Sequence, residues 1–417
     1  MSALSNKVDV LVIGAGPCGL LSALALARDG VEVEIVDRAW RSSAQSYACG
    51  IHAATLELLG QLGLVQQALG SGFRIDTVGL YEGGERRGEL RLSELNSGGF
   101  PFLLVLPQDR LEELLELELR QRGVRVRWGH RLDTLRQDEN GVVATVEKLA
   151  LTSVGYPYAR SEEAVEKETE VHARYVIGAD GAASHVRQIL GLACEHHGGA
   201  SAYEVVEFEP VSDVGREVRI VFGPGTQDAL WPQSSSISRW SLQLEDAVAA
   251  AYRSGADLHG LGPAEAPDKE GILARLKERA PWYGAGIKEV DWATVVGFDS
   301  MVARQFGAGR CWLAGDSGHQ TSPIGMQSMN VGLRESVDLS HRLVRILRDG
   351  ASSDILKAYD QERRDEWSLL LGVRGGLTRT PKTADWAASQ RRRLLASLPA
   401  SGADLGVLAA QLGLGLA

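Results

Sequence analysis

Hydrophobic positions along this chain alternate between two regimes. Val8 to Ile13 is a short, largely apolar run, the pattern of a strand buried on both faces. From Gly19 to Arg28 apolar residues recur at helical spacing, and Val31 to Val36 predicts a second strand ending in Asp37. A helix is expected around Ala53 to Leu62. The pattern then turns polar: Arg74 to Tyr81 and Arg87 to Leu92 read as strands of a hairpin joined through Gly83-Gly84. Leu111, Leu114, Leu115 and Leu119 mark one face of a helix that Asp109 is expected to cap and Gly123 to stop. The strand Val124 to Trp128 follows, and the polar stretch Ser153 to Thr169 reads as a surface excursion.

A further buried strand, Tyr175 to Gly178, leads into Ala179-Asp180-Gly181 and a short helix from Ser184. Between Tyr203 and Leu244 the chain reads as mostly antiparallel β, in segments YEVVEF, REVRIVF, ALWPQ and SRWSLQL. Helical sequence resumes from Gly271 to Arg279. Late in the chain, a strand (Cys311 to Ala314), a Gly315-Asp316 turn and a Pro323 to Gly325 loop run into a long helix. That helix buries a stripe at Met329, Leu333, Ser336, Leu339, Leu343 and Leu347. Segments of the two regimes interrupt one another, so the expected fold is α/β with two interleaved domains.

One turn has the spacing of a nucleotide-binding device. Gly14-Ala15-Gly16-Pro17-Cys18-Gly19 matches G-x-G-x-x-G directly after a strand and at the start of a helix. Gly14 permits the tight turn, Gly16 lets the backbone approach a pyrophosphate, and Gly19 lets the helix pack closely on the sheet. Asp37, at the end of the second strand, is placed for the ribose hydroxyls of an adenosine. The fingerprint alone does not separate NAD from FAD.

Composition narrows the partners. The 417 residues include 44 basic and 54 acidic, for a net charge of −10, which argues against a nucleic-acid partner or an anionic membrane surface. The pairs and triplets Arg363-Arg364 and Arg391-Arg392-Arg393 read as solvated helix faces. Val10 to Ala27 is apolar enough to mimic a membrane span, but Gly14, Gly16, Pro17 and Gly19 break it into strand, turn and helix. No secretory signal precedes the first strand, and the four scattered cysteines suit a reducing cytoplasm. Cys194-Glu195-His196-His197 groups metal-binding residue types, yet adjacent residues rarely converge on one ion, so a loop without metal is expected.

Three motifs taken together, the glycine turn, Asp180-Gly181 after YVIGA and Gly315-Asp316 after CWLA, resemble the class A flavin-dependent monooxygenases, the p-hydroxybenzoate hydroxylase-like family. The resemblance runs from about residue 8 to 365, and includes Gly60 to Leu64 and Tyr359 to Arg364. It implies a glutathione-reductase-like, Rossmann-type FAD domain over residues 1–72, 99–190 and 285–350. A β-sheet substrate domain would take 73–98 and 191–284, and a helical region 351–417. It implies FAD as cofactor, with NADPH or NADH as a transient co-substrate, O₂, and an aromatic, phenolic or polyketide-like substrate oxidised through a C4a-hydroperoxyflavin. The expected oligomeric state is a monomer or homodimer.

By the same resemblance, Asp316 hydrogen-bonds the ribityl chain, with Gly315 in its turn. Pro323, Gly325, Met326, Gln327, Ser328, Met329 and Asn330 pass the flavin's pyrimidine side. Gln108 and Arg110 match a position contacting the FAD chain, and Asp180 a motif linked to both nucleotides. Gly14, Gly16, Pro17, Cys18, Gly19, Asp37 and Arg38 complete the cofactor set, and Pro323 and His319 are the candidates nearest the chemistry. His319 is read chiefly as structural, with an acid–base role as the alternative. The chain departs from the family pattern at Tyr47, Ala183, Ser322, Met326, Ser328 and the pair Glu335-Ser336, the last read as a packing variation. Trp231, Arg239 and Trp240 are expected on the sheet that covers the substrate, as packing residues. A flavin reductase or dehydrogenase, a halogenase, or a non-catalytic FAD-binding module are the other functions the scaffold allows.

Overall fold

The computed structural model describes residues 4–41, 48–95, 99–154, 160–199, 201–245 and 269–417. Tyr47 lies outside them. The first sheet has eight strands, of which five run parallel in the order Cys311–Leu313, Arg160–Gly178, Lys7–Ile13, Val33–Asp37 and Val126–Trp128, with Gly307–Ala308, Val142–Val154 and His130–Gln137 joined antiparallel. The largely apolar sequence of Lys7–Ile13, Val33–Asp37 and Cys311–Leu313 follows from burial on both faces. The helix Pro17–Arg28 buries every residue from Gly19 to Leu26, because the sheet lies on one side and the long helix Gln327–Asp349 on another. Pro17 suits the first helical turn, where its missing N–H costs nothing.

The second sheet has seven strands: Ile287–Phe298, Ser201–Pro210, Ser238–Gln243, Gln227–Pro232, Glu217–Phe222, Thr77–Glu82 and Glu85–Arg91. All neighbours are antiparallel except Glu217–Phe222 and Thr77–Glu82, which run parallel. Period-two alternation gives the sheet two apolar faces. Tyr203, Val205, Ile220, Ala229 and Trp231 join the core shared with the first sheet. Val206, Phe208, Leu230, Trp240 and Leu242 face the helix Lys269–Arg279 through Ile272 and Leu276.

Several expectations are corrected. Residues 287–298 pair with Ser201–Pro210 and so belong to the second sheet, not to the nucleotide-binding segment expected from residue 285. Phe73–Ile75 instead pairs with Leu103–Val105, away from the second sheet. The polar stretch from Ser153 is no simple excursion. Val142–Val154 and Arg160–Gly178 form one long antiparallel pair, in which Glu163 to Glu170 is largely charged and exposed. The region after 350 also contains strands, since Leu377–Arg379 pairs with Leu414–Leu416. Cys194–His196 is a strand paired with Met301–Ala303 rather than a loop. Helix Gln108–Gln121 is preceded by Pro107, so Asp109 lies inside its first turn and is not the cap. Two arginines read as solvated are not: Arg363 is buried against Glu366, and Arg393 donates to the Gly223 and Thr226 carbonyls.

The start of the first helix has no tolerance. A Cβ on Gly19 would lie 1.9 Å from the Gly14 carbonyl oxygen, a backbone atom that cannot yield. Gly19→Ala should therefore destabilise the fold by about 1–3 kcal/mol or more, as overpacking does, read as a lowered urea midpoint.

Candidate FAD site

The carboxyl ends of the parallel strands open into one groove made of two joined cavities that share Gly16, Ala179 and Gly181. The larger, about 780 Å³, is lined by Gly14, Asp37, Arg38, His130, Asp180 and His185 among others. The smaller, about 230 Å³, is lined by Pro17, Cys18, Gln108, Asp316, Pro323, Met326, Ser328 and Met329, together with Phe298 from the second sheet.

Close backbone contacts build the larger cavity. Gly14 has φ 101°, and a Cβ there would sit 2.2 Å from the Ala179 oxygen. Nothing lies within 4 Å of where a Cβ on Gly16 would stand, so the backbone there is open to a ligand. Asp37 holds the glycine turn itself: one carboxylate oxygen accepts from the Ala15 N–H at 2.6 Å and the other from the Ala39 N–H at 2.7 Å. Asp180 is likewise committed, accepting from the Ser184 hydroxyl at 2.6 Å and from the His185 and Val186 N–H groups at 2.7 and 3.0 Å. Its carboxylate shapes the short helix His185–Ile189 and lines the cavity.

At the smaller cavity, burial pushes the Asp316 carboxyl up, while the charge of His319 and the Gln320 side chain pull the other way. A half-buried carboxyl facing a cavity is suited to ligand hydroxyls. The helix Gln327–Asp349 begins at the same cavity, and the N–H groups of its first turn have no intrahelical acceptor, so they present partial positive charge to a ligand. The loop before it is braced from within. Ser328 Oγ accepts from the Thr321 N–H at 2.9 Å, and Ser322 Oγ from the Ile324 N–H at 3.3 Å. Tyr203, whose phenol burial pushes up to about 12, lies within reach of Ser322 and so ties the second sheet to the loop.

Not every expected residue reaches the groove. Gly19 and Gly315 serve packing, Gly315 against the Cys18 sulfur. Gly325 backs onto the Ala396 carbonyl, and Gln327 donates to the Leu395 and Leu398 carbonyls at 2.8 and 3.2 Å. Asn330 is buried, donating to the Met326 and Gly50 carbonyls at 2.7 and 2.8 Å and accepting from the His52 N–H at 2.8 Å. These three support the loop from behind. Arg110 is exposed and paired with Glu113.

His319 is fully buried and does not line the groove. It shares Glu335 with two donors: Glu335 accepts from His319 Nε2 at 2.8 Å, from Trp367 Nε1 at 2.9 Å and from the Gly315 N–H at 3.2 Å. The imidazole also stacks on Trp367 at 3.8 Å. Burial raises the Glu335 carboxyl, but His319 and these hydrogen bonds hold it below the usual carboxylate range. Glu335 is therefore the hub behind the Gly315-Asp316 turn rather than a packing variation. A lone acidic residue on the apolar face of the long helix was the signal for it in the sequence. Arg239, read as a packing residue, is a buried cation paired with Glu207 at 2.7 Å, and Trp292 lies under its guanidinium. Sequence reasoning also missed Phe298, Gln320, Thr321 and His52 at the site. His52 donates from Nε2 to the Gly325 carbonyl at 2.9 Å. Among the described residues, no group of three or more His, Cys, Asp or Glu side chains is placed to hold a metal ion.

The groove fits FAD: a glycine turn with no room for a Cβ at Gly14 or Gly19 and an open backbone at Gly16, a length joining two cavities, and a half-buried carboxyl beside a helix N-terminus at the far end. Asp316→Ala should weaken FAD binding by about 1.5–3 kcal/mol, roughly ten- to hundredfold, in titrations of the apoprotein. An unchanged affinity would place the cofactor elsewhere. His52 supplies a pH signature. Burial lowers its pKa from 6.5 to about 3. Below pH 6.5 the unfolded state binds a proton that the folded state refuses, so stability falls as pH drops from 6.5 towards 3, by about 1.4 kcal/mol per unit at most. His52→Gln should flatten that acid-side slope in denaturation curves measured across this range.

The comparisons point to the same cofactor. The family model described as FAD binding domain matches residues 7–370. Pentachlorophenol 4-monooxygenase of Sphingobium chlorophenolicum is 28% identical over 380 residues, covering 88% of this chain and 64% of the relative. A 12-dehydrotetracycline 5-monooxygenase/anhydrotetracycline 6-monooxygenase of Streptomyces rimosus is 29% identical over 365 residues, covering 86% of this chain and 67% of the relative. The chain thus spans about two thirds of the length of these curated relatives. Among solved structures, p-nitrophenol 4-monooxygenase of Pseudomonas putida superposes with TM-score 0.73 at 22% identity, covering 98% of this chain and 97% of that one, and shares its fold. With 364 consecutive residues under one family model, from the first strand to the end of helix Asp354–Leu370, the chain belongs to the FAD-binding domain family and takes FAD as its cofactor.

Proposed function

We propose that this protein is an FAD-dependent monooxygenase that consumes NAD(P)H and O₂ to hydroxylate an aromatic, phenolic small molecule. The observation that carries the reading is the make-up of the smaller cavity. Among the described residues, Asp316 and Cys18 are its only titratable lining side chains, and burial pushes the Cys18 thiol well up, away from thiolate chemistry. Among the described residues this wall offers no histidine, lysine or tyrosine as base or nucleophile, which suits chemistry carried by the cofactor. FAD, when bound, supplies electron transfer from NAD(P)H and the activation of O₂.

The chain's own residues then bind, orient and exclude water. Asp316 holds hydroxyls of the cofactor's sugar-alcohol chain. The first-turn N–H groups of Gln327–Asp349 would favour negative charge on a group bound in front of them. Phe298, Pro323 and Met326 present apolar surface that keeps water from the reacting ring, while Thr321 and Ser322 offer hydroxyls for proton exchange. We assign the seven-stranded sheet as the substrate side, since its inner face packs over the flavin loop through Tyr203 and Trp231. The names of the relatives, which act on pentachlorophenol, tetracycline precursors and p-nitrophenol, support an aromatic substrate.

Purified protein supplied with FAD, NADPH and ¹⁸O₂ should stimulate NADPH consumption in the presence of a phenolic substrate and place one ¹⁸O atom in the product. NADPH oxidation that ends only in peroxide across a broad phenol panel would instead identify a reductase.

A further inference from the structure

A glutamine lies beside the carboxylate anchor with one end already committed. The two-residue strand His319–Gln320 pairs with Met301–Ala303, Met301 opposite Gln320 and Val302 opposite His319. Successive side chains of a strand point to opposite faces. His319 therefore turns back into the core, fully buried against Glu335, and Gln320 turns to the smaller cavity, which it lines together with Asp316.

Chemistry fixes the orientation of the Gln320 amide. The Asp299 N–H donates to it at 2.9 Å, and a backbone N–H can meet only the amide oxygen. With Oε1 on Asp299, the donor end, Nε2, is what remains for the cavity. Burial pushes the Asp316 carboxyl up, and a hydrogen bond from the Gln320 side chain opposes this by favouring the ionised form. Asp299 directly follows the strand Ile287–Phe298, whose last residue meets Tyr203 edge-on at 5.7 Å and forms part of the cavity wall. One amide thus serves the carboxylate on one side and the end of a second-sheet strand on the other.

A hydroxyl is donor and acceptor at once, whereas an ionised carboxylate only accepts. A polyol chain held by Asp316 alone has its O–H groups served and its oxygens left without a donor, which is costly away from water. Nε2 is the donor that completes the set. We propose that Gln320 is a further FAD-binding residue: its Nε2 and the Asp316 carboxylate form a donor–acceptor pair that reads a hydroxyl of the cofactor's sugar-alcohol chain, while its Oε1 fastens that pair to the strand carrying Phe298. This role rests on the placement of that chain beside Asp316, and it gives the second sheet a direct hold on the cofactor.

The test is equilibrium binding to the apoprotein by calorimetry, with circular dichroism to report the fold. The probes are FAD, ADP and three FAD analogues lacking the 2′-, 3′- or 4′-hydroxyl of the ribityl chain. Gln320→Leu should weaken FAD about three- to tenfold, the worth of one neutral hydrogen bond, and leave ADP, which lacks the chain, within about twofold of wild type. With one of the three analogues the variant and wild type should bind alike, because the hydroxyl that Nε2 reads is gone. Gln320→Glu keeps an oxygen for the Asp299 N–H but removes the donor, so it should weaken FAD at least as much. It stands in if the leucine variant loses its dichroism signature. FAD affinity within about twofold of wild type in these variants overturns the proposal, and so does an equal loss for ADP. A loss that persists with all three analogues also overturns it, leaving Gln320 as a fastener of the strand alone. If Asp316→Ala still weakens FAD, the placement of the cofactor survives each of those results. Unchanged FAD affinity in Asp316→Ala would remove the placement and this role with it.

Discussion

The structure depends on a place where no side chain fits. Gly14, Gly19, Gly315 and Gly332 lie where strand ends and helix starts meet, and a Cβ on any of them would come within 3 Å of a neighbouring atom. Gly14 approaches Ala179, Gly19 approaches Gly14, and Gly315 and Gly332 close around the Cys18 sulfur. The first helix, the strand Arg160–Gly178 and the long helix can converge only because these positions carry hydrogen alone. The glycine turn and the core behind it are therefore one object.

Behind the junction stands a second constraint, electrostatic rather than steric. Glu335 is a fully buried carboxylate, and burying a charge is costly unless it is paired and hydrogen-bonded. Its three donors come from three elements: a turn, a short strand and the helix Asp354–Leu370. The arrangement orients Gly315 and hence the adjoining Asp316. A wider network of this kind trades stability for a single defined geometry, which a cofactor site requires.

Much of this was legible in the chain itself. The glycine turn, the parallel strands and the amphipathic late helix follow from local pattern, and the hairpin at Gly83-Gly84 appears with both glycines at positive φ. The seven-stranded sheet was legible only in part, because the strand Ile287–Phe298 joins from about 80 residues beyond its partner Ser201–Pro210, and no local signal reports such pairing. Side-chain roles were less legible than elements. Asp37 and Asp180, expected as ligand contacts, line the larger cavity, but that their oxygens also accept from N–H groups nearby in space had no sequence signal. Gln327 and Asn330 sit on a helix start that does face the groove, but helical rotation turns them to its back. His52 had no motif to mark it, since its partner Gly325 is 273 residues away.

The wall behind the flavin loop has a consequence for how this family should be thought of as a unit. The family match ends at residue 370, but the carbonyls that seat Gly325 and Gln327 come from Leu395 to Leu398, in and just after the helix Arg391–Ser397. Gln227 of the second sheet reaches the same turn through Ser397. The segment after 370 is thus a keystone shared by loop and sheet rather than an appendage. The boundary drawn by sequence likeness and the boundary drawn by load do not coincide, and a chain ended at the first would keep every recognised motif while losing the seat of its flavin loop.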